Sequence, residues 1–146
     1  MLLPAGLTVP SLDPALVGRI RRLCDAIVET AKVGLDAEML LDSLNDTTAN
    51  DFTLADVVEG ASDLGSDVFA ALAISPPVPR VAAPLDAWTE IVRRIRERDG
   101  SRFECAWWLE LLARATARDD VAGHVLAADP RGPADIAAAL FADAPA

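Results

Sequence analysis

The fold is decided by the stretch at residues 86–118, which reads DAWTEIVRRIRERDGSRFECAWWLELLARATAR. It contains two long helical patterns separated by Gly100 and Ser101. Gly100 can take the left-handed conformation that ends a helix, and Ser101 followed by Glu104 is the pattern of a capping box that begins the next one. So short a link predicts that the two helices fold back on each other as an αα-hairpin.

The two predicted helices differ in how their apolar residues are distributed. The first has a single apolar side, with Glu90 and Arg94 at a favourable i,i+4 spacing on the other side. The second is apolar almost all round, which is typical of a helix that a bundle packs around. Its predicted buried side comprises Cys105, Trp108, Leu109, Leu112, Ala113 and Thr116.

Two aromatic residues, Phe103 and Trp107, lie on the narrower polar side of the second helix. Large aromatic side chains are usually buried, so we expect another part of the chain to cover this pair. The alternative is an exposed aromatic site. Such a site would bind a partner protein, or it would bind a second copy of the chain and form a homodimer.

The remaining patterns predict an all-α fold, a single-domain bundle of six or seven helices over residues 1–146, organised on the hairpin at about 86–118. Residues 1–12 have no helical period and read as an extended arm. Further helices are predicted at 14–33, about 37–44, 53–74 with a break at Gly65–Ser66, about 120–128, and 134–142. Prolines in the segment 75–84 exclude helix there and indicate a stiff connector rather than a domain boundary.

The net charge of −10 is concentrated in the first half of the chain. Residues 23–79 hold eleven acidic side chains and one basic side chain, Lys32. An acidic surface repels nucleic-acid phosphates and attracts basic proteins, although it can also serve only to keep the protein in solution. We therefore predict a non-enzymatic interaction protein, such as an adaptor, an antitoxin or an immunity-type inhibitor, whose acidic 36–67 surface binds a basic partner. The predicted partner-binding residues are Asp56, Glu59, Asp63 and Asp67, with Phe103 and Trp107 as a second, apolar site.

One segment suggests a different function. Residues 53–72 read TLADVVEGASDLGSDVFAAL, and the opening TLADVVEGA resembles the second helix of bacterial helix-turn-helix repressors. Val68 and Phe69 fall where the recognition helix of those repressors has its apolar anchor. The resemblance implies a transcriptional regulator that acts as a dimer or with a companion subunit. The segment departs from the family pattern in the turn, at Ser62–Asp63–Leu64, and its second helix carries Asp67 but no side chain suited to DNA, so direct DNA binding is not expected.

The sequence contains no pattern that indicates catalysis, a cofactor or a metal. His124 is the single histidine. Cys24 and Cys105 lie far apart in the sequence on predicted apolar faces, as expected of free thiols in a reducing cytoplasm; a single disulfide between them is the alternative. The loop at residues 45–51, NDTTAND, offers oxygen ligands without the spacing of a calcium loop. No apolar run is long enough for a membrane span, and no signal peptide is recognised. A small-ligand pocket beside Trp108 remains a third functional alternative.

Overall fold

The computed structural model describes residues 2–127 and 130–142, and it confirms that the protein is all-α. This part of the chain has eight α-helices, one short 3-10 turn and no strand. In chain order the elements are the turn Ala5–Leu7, α1 (Pro14–Lys32), α2 (Glu38–Thr48), α3 (Leu54–Leu64), α4 (Ser66–Ile74), α5 (Leu85–Glu97), α6 (Arg102–Thr116), α7 (Val121–Leu126) and α8 (Pro133–Ala142). The helices number eight because Gly65 divides the predicted 53–74 segment into two separate helices.

The elements belong to two compact units. The α1–α4 unit is Ser11–Pro76, and the α5–α8 unit combines Met1–Pro10 with Pro77–Ala146. The division falls inside the proline-rich segment, which the sequence analysis treated as a connector and not as a boundary. The prediction of one domain over residues 1–146 stays a prediction.

In the α1–α4 unit, α1 packs against each of the other three helices, and α3 packs against α4. The predicted caps are present. Asp13 accepts a hydrogen bond from the Ala15 N–H at 3.0 Å, and Thr53 and Asp56 form a reciprocal capping box. The core contains Ile20, Cys24, Ile27, Ala37, Leu44, Val57, Phe69 and Ala70.

Helix α2 is longer than predicted, because the first half of the expected loop at residues 45–51 is helical. The helix ends where Ala49 takes the left-handed conformation at φ 55°. Asn45 then fixes the connection to α3. Its amide nitrogen donates to the Phe52 carbonyl oxygen at 3.0 Å, and its amide oxygen accepts from the Phe52 N–H at 2.9 Å. The Asn45 side chain thus forms the two hydrogen bonds that another backbone segment would otherwise form with Phe52. The ring centroids of Phe52 and Phe69 are 5.1 Å apart.

Helices α3 and α4 pack closely at Gly60. A Cβ atom added to this glycine would lie 2.3 Å from a ring carbon of Phe69, a distance that real side chains do not reach. The two helices are joined by the single residue Gly65, at φ 84°. Their packing therefore depends on the missing side chain at position 60.

We expect Gly60→Ala to destabilise the protein even though alanine favours helix. The steric conflict with Phe69 should lower the free energy of unfolding by about 1–3 kcal/mol. Gly18→Ala, in α1 of the same unit, is the matched control because its Cβ would meet only the Arg22 guanidinium at an ordinary 3.7 Å. This control should be neutral or stabilising by up to about 1 kcal/mol. Chemical denaturation of both variants measures the difference, and equal effects would contradict the proposed packing constraint.

In the α5–α8 unit, the central helix is α5, and not α6 as the sequence suggested. Helix α5 packs against α6, α7 and α8, most extensively against α8, where the rings of Trp88 and Phe141 are 5.3 Å apart. A one-sided apolar stripe can contact several helices when all of its side chains are buried. In α5 the buried residues are Ala87, Trp88, Ile91, Val92 and Ile95.

The predicted buried side of α6 is only partly right: Trp108, Leu112 and Thr116 are buried as expected, but the buried arc is rotated about the helix axis. The residues that are buried are Trp107, Trp108, Leu111, Leu112, Ala115 and Thr116. Cys105, Leu109 and Ala113, which were expected on the buried side, are only half-buried. Because α6 is apolar almost all round, the sequence pattern did not determine which arc of the helix faces the core.

The N-terminal residues are more ordered than an extended arm. Leu7 is completely buried, and its carbonyl oxygen accepts a hydrogen bond from the indole N–H of Trp108 at 3.2 Å. The left-handed residue that ends α5 is Arg98, not Gly100 as predicted. Gly100 instead lies against Trp108, since a Cβ there would be 3.1 Å from the indole ring. The capping box of Ser101 at the start of α6 is confirmed.

Two predicted helix ends differ from the structure. Helix α6 ends two residues before the predicted residue 118, at Thr116. Helix α7 ends at Leu126, and the predicted end of this helix at residue 128 lies outside the described residues.

Candidate functional site

The predicted acidic residues lie on the solvent side of α3 and at the start of α4. Val57, which is fully buried, marks the side of α3 that faces the core. Asp56, Glu59 and Asp63 are exposed, and their i, i+3, i+7 spacing places them on the opposite side of the helix. Asp67 is half-buried in the first turn of α4. The structure thus brings three of the four predicted residues together on one helix.

Two of these four carboxylates stabilise helix ends. The Asp56 carboxylate accepts the N–H of Thr53 at 2.9 Å and completes the capping box of α3. Asp67 is the second residue of α4. Negative charge in the first turn of a helix interacts favourably with the helix dipole. Stabilisation of the helix ends therefore explains why these two positions are acidic, and no protein partner is needed to account for them.

Glu59 and Asp63 have no such role. Within residues 2–127 and 130–142, the structure gives their carboxylates no hydrogen bond and no ion pair. Two like charges at i,i+4 spacing repel each other on a helix. Asp63 also lies in the last turn of α3, where the helix dipole disfavours negative charge. We call Glu59 and Asp63 the acidic pair of α3. The repulsion between the two carboxylates and the position of Asp63 in the last turn both lower the stability of the helix.

We expect Asp63→Lys to stabilise the protein. The substitution replaces a repulsive i,i+4 pair by an attractive one with Glu59 in the favourable order, and it places a positive charge in the last helical turn. The free energy of unfolding should rise by about 0.5 kcal/mol. In a Glu59→Gln background the gain should be smaller, which a double-mutant cycle from denaturation curves measures. A loss of stability in Asp63→Lys would show that Asp63 has a structural partner.

The charged side chains of α5, in the other unit, differ from the acidic pair in that acidic and basic groups pair with one another. Glu90 accepts hydrogen bonds from Arg93 at 2.6 and 2.9 Å, and from Arg94 at 3.1 Å as the sequence predicted. Arg93 also pairs with Glu97 and, at 3.1 Å, with Asp99. The hydrogen bonds from Arg93, together with those from Arg94, lower the pKa of Glu90 from 4.5 to about 2.

This lowered pKa predicts a specific pH dependence. The Glu90 carboxylate contributes stability while it is ionised, so the contribution is present above pH 4.5 and is lost as the pH falls from 4.5 to about 2. The difference in unfolding free energy between wild type and Glu90→Gln should shrink over this window. Thermal unfolding of the two proteins across the window measures the difference. A difference that does not change with pH would contradict the role of the two arginines.

A cleft lies beside the acidic pair, between α1, α3 and the start of α4. Its volume is about 460 Å³, and it is open to solvent. The lining residues are Asp25, Val28, Glu29, Lys32, Val58, Ala61, Ser62 and Ser66. We call it the α1–α3 cleft. The sequence did not predict the cleft, because it gives no information on which part of α3 faces the charged residues of α1.

The charged groups of the cleft are only weakly paired. Lys32 Nζ lies 3.5 Å from a Glu29 carboxylate oxygen, and Arg21 Nε lies 4.0 Å from one of Asp25. All four side chains are more than half exposed. Ion pairs of this kind contribute about 0–1 kcal/mol each, because water and salt screen them. The two carboxylates therefore stay available to another cation.

A third group of acidic residues lies on α2, at Glu38, Asp42 and Asp46. All three are exposed, at successive i,i+4 spacings. These residues lie within the predicted acidic 36–67 surface, but they were not among the four partner-binding residues named in it. They offer a matched comparison for the acidic pair of α3, because they belong to the same unit and have the same spacing.

The predicted apolar site at Phe103 and Trp107 lies in the other unit, on α6. Trp107 is only 3% exposed, in agreement with the expectation that the chain covers it, and Phe103 is half-buried. Their ring centroids are 6.2 Å apart. The buried indole N–H of Trp107 has no hydrogen-bond partner among the described residues. Its burial does not support a contact surface at this position.

The potentially reactive side chains of the described residues include Cys24, Cys105 and His124. Burial raises the pKa of the free Cys24 thiol to about 11, and burial also raises that of the free, half-buried Cys105. The imidazole of His124 contacts Asp120 at 3.0 Å and Arg118 at 3.1 Å. In the part of the chain that the structure describes, no cluster of three or more potential ligands is placed to hold a metal ion. None of the described helices combines the length and the apolar character that spanning a bilayer requires.

The geometry of α3 and α4 differs from the helix-turn-helix motif that the sequence resembles. The motif joins its helices by a turn of about three to four residues, whereas Gly65 alone joins α3 to α4. Most of α4 is also buried, at Val68, Phe69, Ala70, Ala71 and Ala73. This burial leaves few side chains of α4 accessible to a DNA groove.

Comparisons with known proteins add no functional information. No protein-family model, no curated protein and no solved structure matches the chain. Two features of the chain itself bear on its function, the acidic pair of α3 and the α1–α3 cleft.

Proposed function

We propose that the protein is a non-enzymatic protein–protein interaction module, such as an adaptor, an antitoxin or an immunity-type inhibitor, whose α1–α4 unit binds a basic protein partner. The observation that supports this most is the acidic pair of α3. Glu59 and Asp63 are exposed, are unpaired within the described residues, and lie where they lower the stability of their own helix. Residues that reduce stability without a local compensation are expected at functional sites.

The charge of the whole unit supports the same proposal. Residues 11–76 carry twelve acidic and four basic side chains. An excess of this size on a small unit produces a field that extends beyond the surface and accelerates the approach of a positively charged protein. The acidic pair then offers two carboxylates at which such a partner can form direct ion pairs.

The non-enzymatic part of the proposal rests on the candidate nucleophiles. The raised pKa values of Cys24 and Cys105 keep both thiols protonated at neutral pH, and a protonated thiol is a poor nucleophile. Two free cysteines also suit a reducing compartment, and the proposal therefore includes a cytoplasmic location.

The other functions that the sequence suggested have less support. A helix-turn-helix regulator requires an exposed recognition helix, and α4 is mostly buried. Direct nucleic-acid binding is not part of the proposal, because the α1–α4 unit is acidic. A homodimer formed through Phe103 and Trp107 requires an accessible aromatic pair, and Trp107 is buried.

The experiment that tests the proposal neutralises the acidic pair. The double variant Glu59→Gln/Asp63→Asn should bind the native partner more slowly. We expect the association rate constant to fall roughly threefold to tenfold at low ionic strength, with a smaller change at high ionic strength. The partner is isolated with the wild-type chain from cells that naturally produce it, and rates are measured by surface plasmon resonance.

The control is Asp42→Asn/Asp46→Asn on α2, which makes the same change in net charge at the same i,i+4 spacing in the same unit. It should slow association less than the α3 variant does. Equal effects of the two variants would contradict a site on α3. Unchanged binding by the α3 variant would contradict the proposed function itself.

A further inference from the structure

We infer that the α1–α3 cleft binds an arginine side chain of the basic partner, with the guanidinium group at Asp25 and Glu29 and the aliphatic stem against the apolar floor. This inference rests on the proposed function, because it names the chemistry of the segment that the acidic unit would receive. Three observations lead to it: the shape of the cleft, its mixed lining, and the weak internal pairing of its charges.

The shape of the cleft suits an inserted side chain better than a flat contact. Its volume of about 460 Å³ falls within the range of about 300–1,000 Å³ that is usual for pockets that bind small molecules. Val28 of α1 and Val58 and Ala61 of α3 form the apolar part of the lining. A side chain that enters the cleft therefore loses water from its apolar part while its polar end stays near the charged wall.

The lining has the chemistry that an arginine requires. Asp25 and Glu29 are one helical turn apart on α1, so their carboxylates lie on the same side of that helix. Arginine combines an apolar stem, which packs against aliphatic residues, with a planar group of five N–H donors that binds carboxylates in pairs. The hydroxyl groups of Ser62 and Ser66 offer additional acceptors in the wall. Lysine would use the same carboxylates, but as a compact charge without the paired geometry.

The cleft already contains a competitor for the incoming cation. Lys32 is part of the lining and pairs with Glu29 at 3.5 Å, while Arg21 reaches Asp25 only at 4.0 Å. Both pairs are exposed and weak, so a better-oriented guanidinium can replace them. Removal of the Lys32 charge should therefore strengthen binding, an effect that a merely structural role of these residues does not predict.

The direct test uses a short peptide and nuclear magnetic resonance. The probe is acetyl-Leu-Arg-Leu-amide, added to the ¹⁵N-labelled full chain, and the control peptide carries citrulline, the neutral isostere, in place of arginine. We expect saturable shifts of the backbone amides of Val28, Val58, Ala61 and Ser62 with the arginine peptide and none with the citrulline peptide. Shifts spread over the acidic residues of α2, or equal shifts with both peptides, would overturn the inference.

Variants on α1 then separate the cleft from general electrostatics. Asp25→Asn/Glu29→Gln should lower the affinity for the arginine peptide by about tenfold. Lys32→Gln should raise this affinity by about twofold to fivefold. Arg22→Gln is the matched control for Lys32→Gln, since it removes one positive charge from α1 outside the cleft lining, and its effect should be smaller. Equal gains from Lys32→Gln and Arg22→Gln would show that only net charge matters, which contradicts the inference.

A third variant distinguishes failure of this inference from failure of the proposed function. Ser62 is exposed, so Ser62→Arg should fold normally and place the chain's own guanidinium in the cleft. Ser62→Arg should weaken binding of the native partner, whereas Ser62→Gln should not. If Ser62→Arg binds the partner normally while Glu59→Gln/Asp63→Asn does not, the cleft inference is wrong and the proposed function stands. If the peptide binds in the cleft but no native partner responds to the α3 variant, the proposed function is wrong and the chemistry of the cleft stands.

Discussion

The orientation of α3 depends on its packing within the α1–α4 unit, which is closest to a steric limit at Gly60. The Phe69 ring occupies the space that a side chain at position 60 would need, with a ring carbon 2.3 Å from the position of the missing Cβ. Val57, three residues earlier in α3, is fully buried. At roughly 100° per residue, Glu59 lies about 160° and Asp63 about 120° around the helix axis from Val57, and both are exposed. The packing that buries Val57 thus leaves the acidic pair in solvent.

The two units use charged residues in different ways, and the difference affects what a partner meets. In the α5–α8 unit, arginines of α5 surround Glu90 and neutralise it at hydrogen-bond distance. Paired charges of this kind stabilise their own helix and produce little field at a distance. In the α1–α4 unit, acidic side chains outnumber basic ones threefold, and the acidic pair of α3 has no counter-ion among the described residues. The negative field of the described helices therefore originates mainly in the α1–α4 unit.

Features that depend on neighbours in sequence could be predicted, and those that depend on contacts between distant residues could not. The capping box of Thr53 and Asp56 involves residues three positions apart, and the structure confirms it. The orientation of α6 could not be predicted, because apolar residues surround the helix and only tertiary packing decides that Leu111 is buried while Leu109 is half-buried. The hydrogen bond from the Trp108 indole to the Leu7 carbonyl oxygen joins residues about a hundred positions apart. The α1–α3 cleft likewise requires two helices that the sequence separates by some twenty residues.

The acidic pair and the cleft affect different steps of association in the proposed complex. Exposed charges at an interface mainly increase the rate of encounter and add little to the lifetime of a complex, because solvent screens them. A side chain that is inserted against Val58 and Ala61 loses water, and contacts of this kind mainly slow dissociation. Both features involve α3. Ser62, which lines the cleft, lies about 60° around the helix axis from Glu59 at roughly 100° per residue. A basic segment attracted by the acidic pair is therefore already next to the cleft in which its arginine would be held.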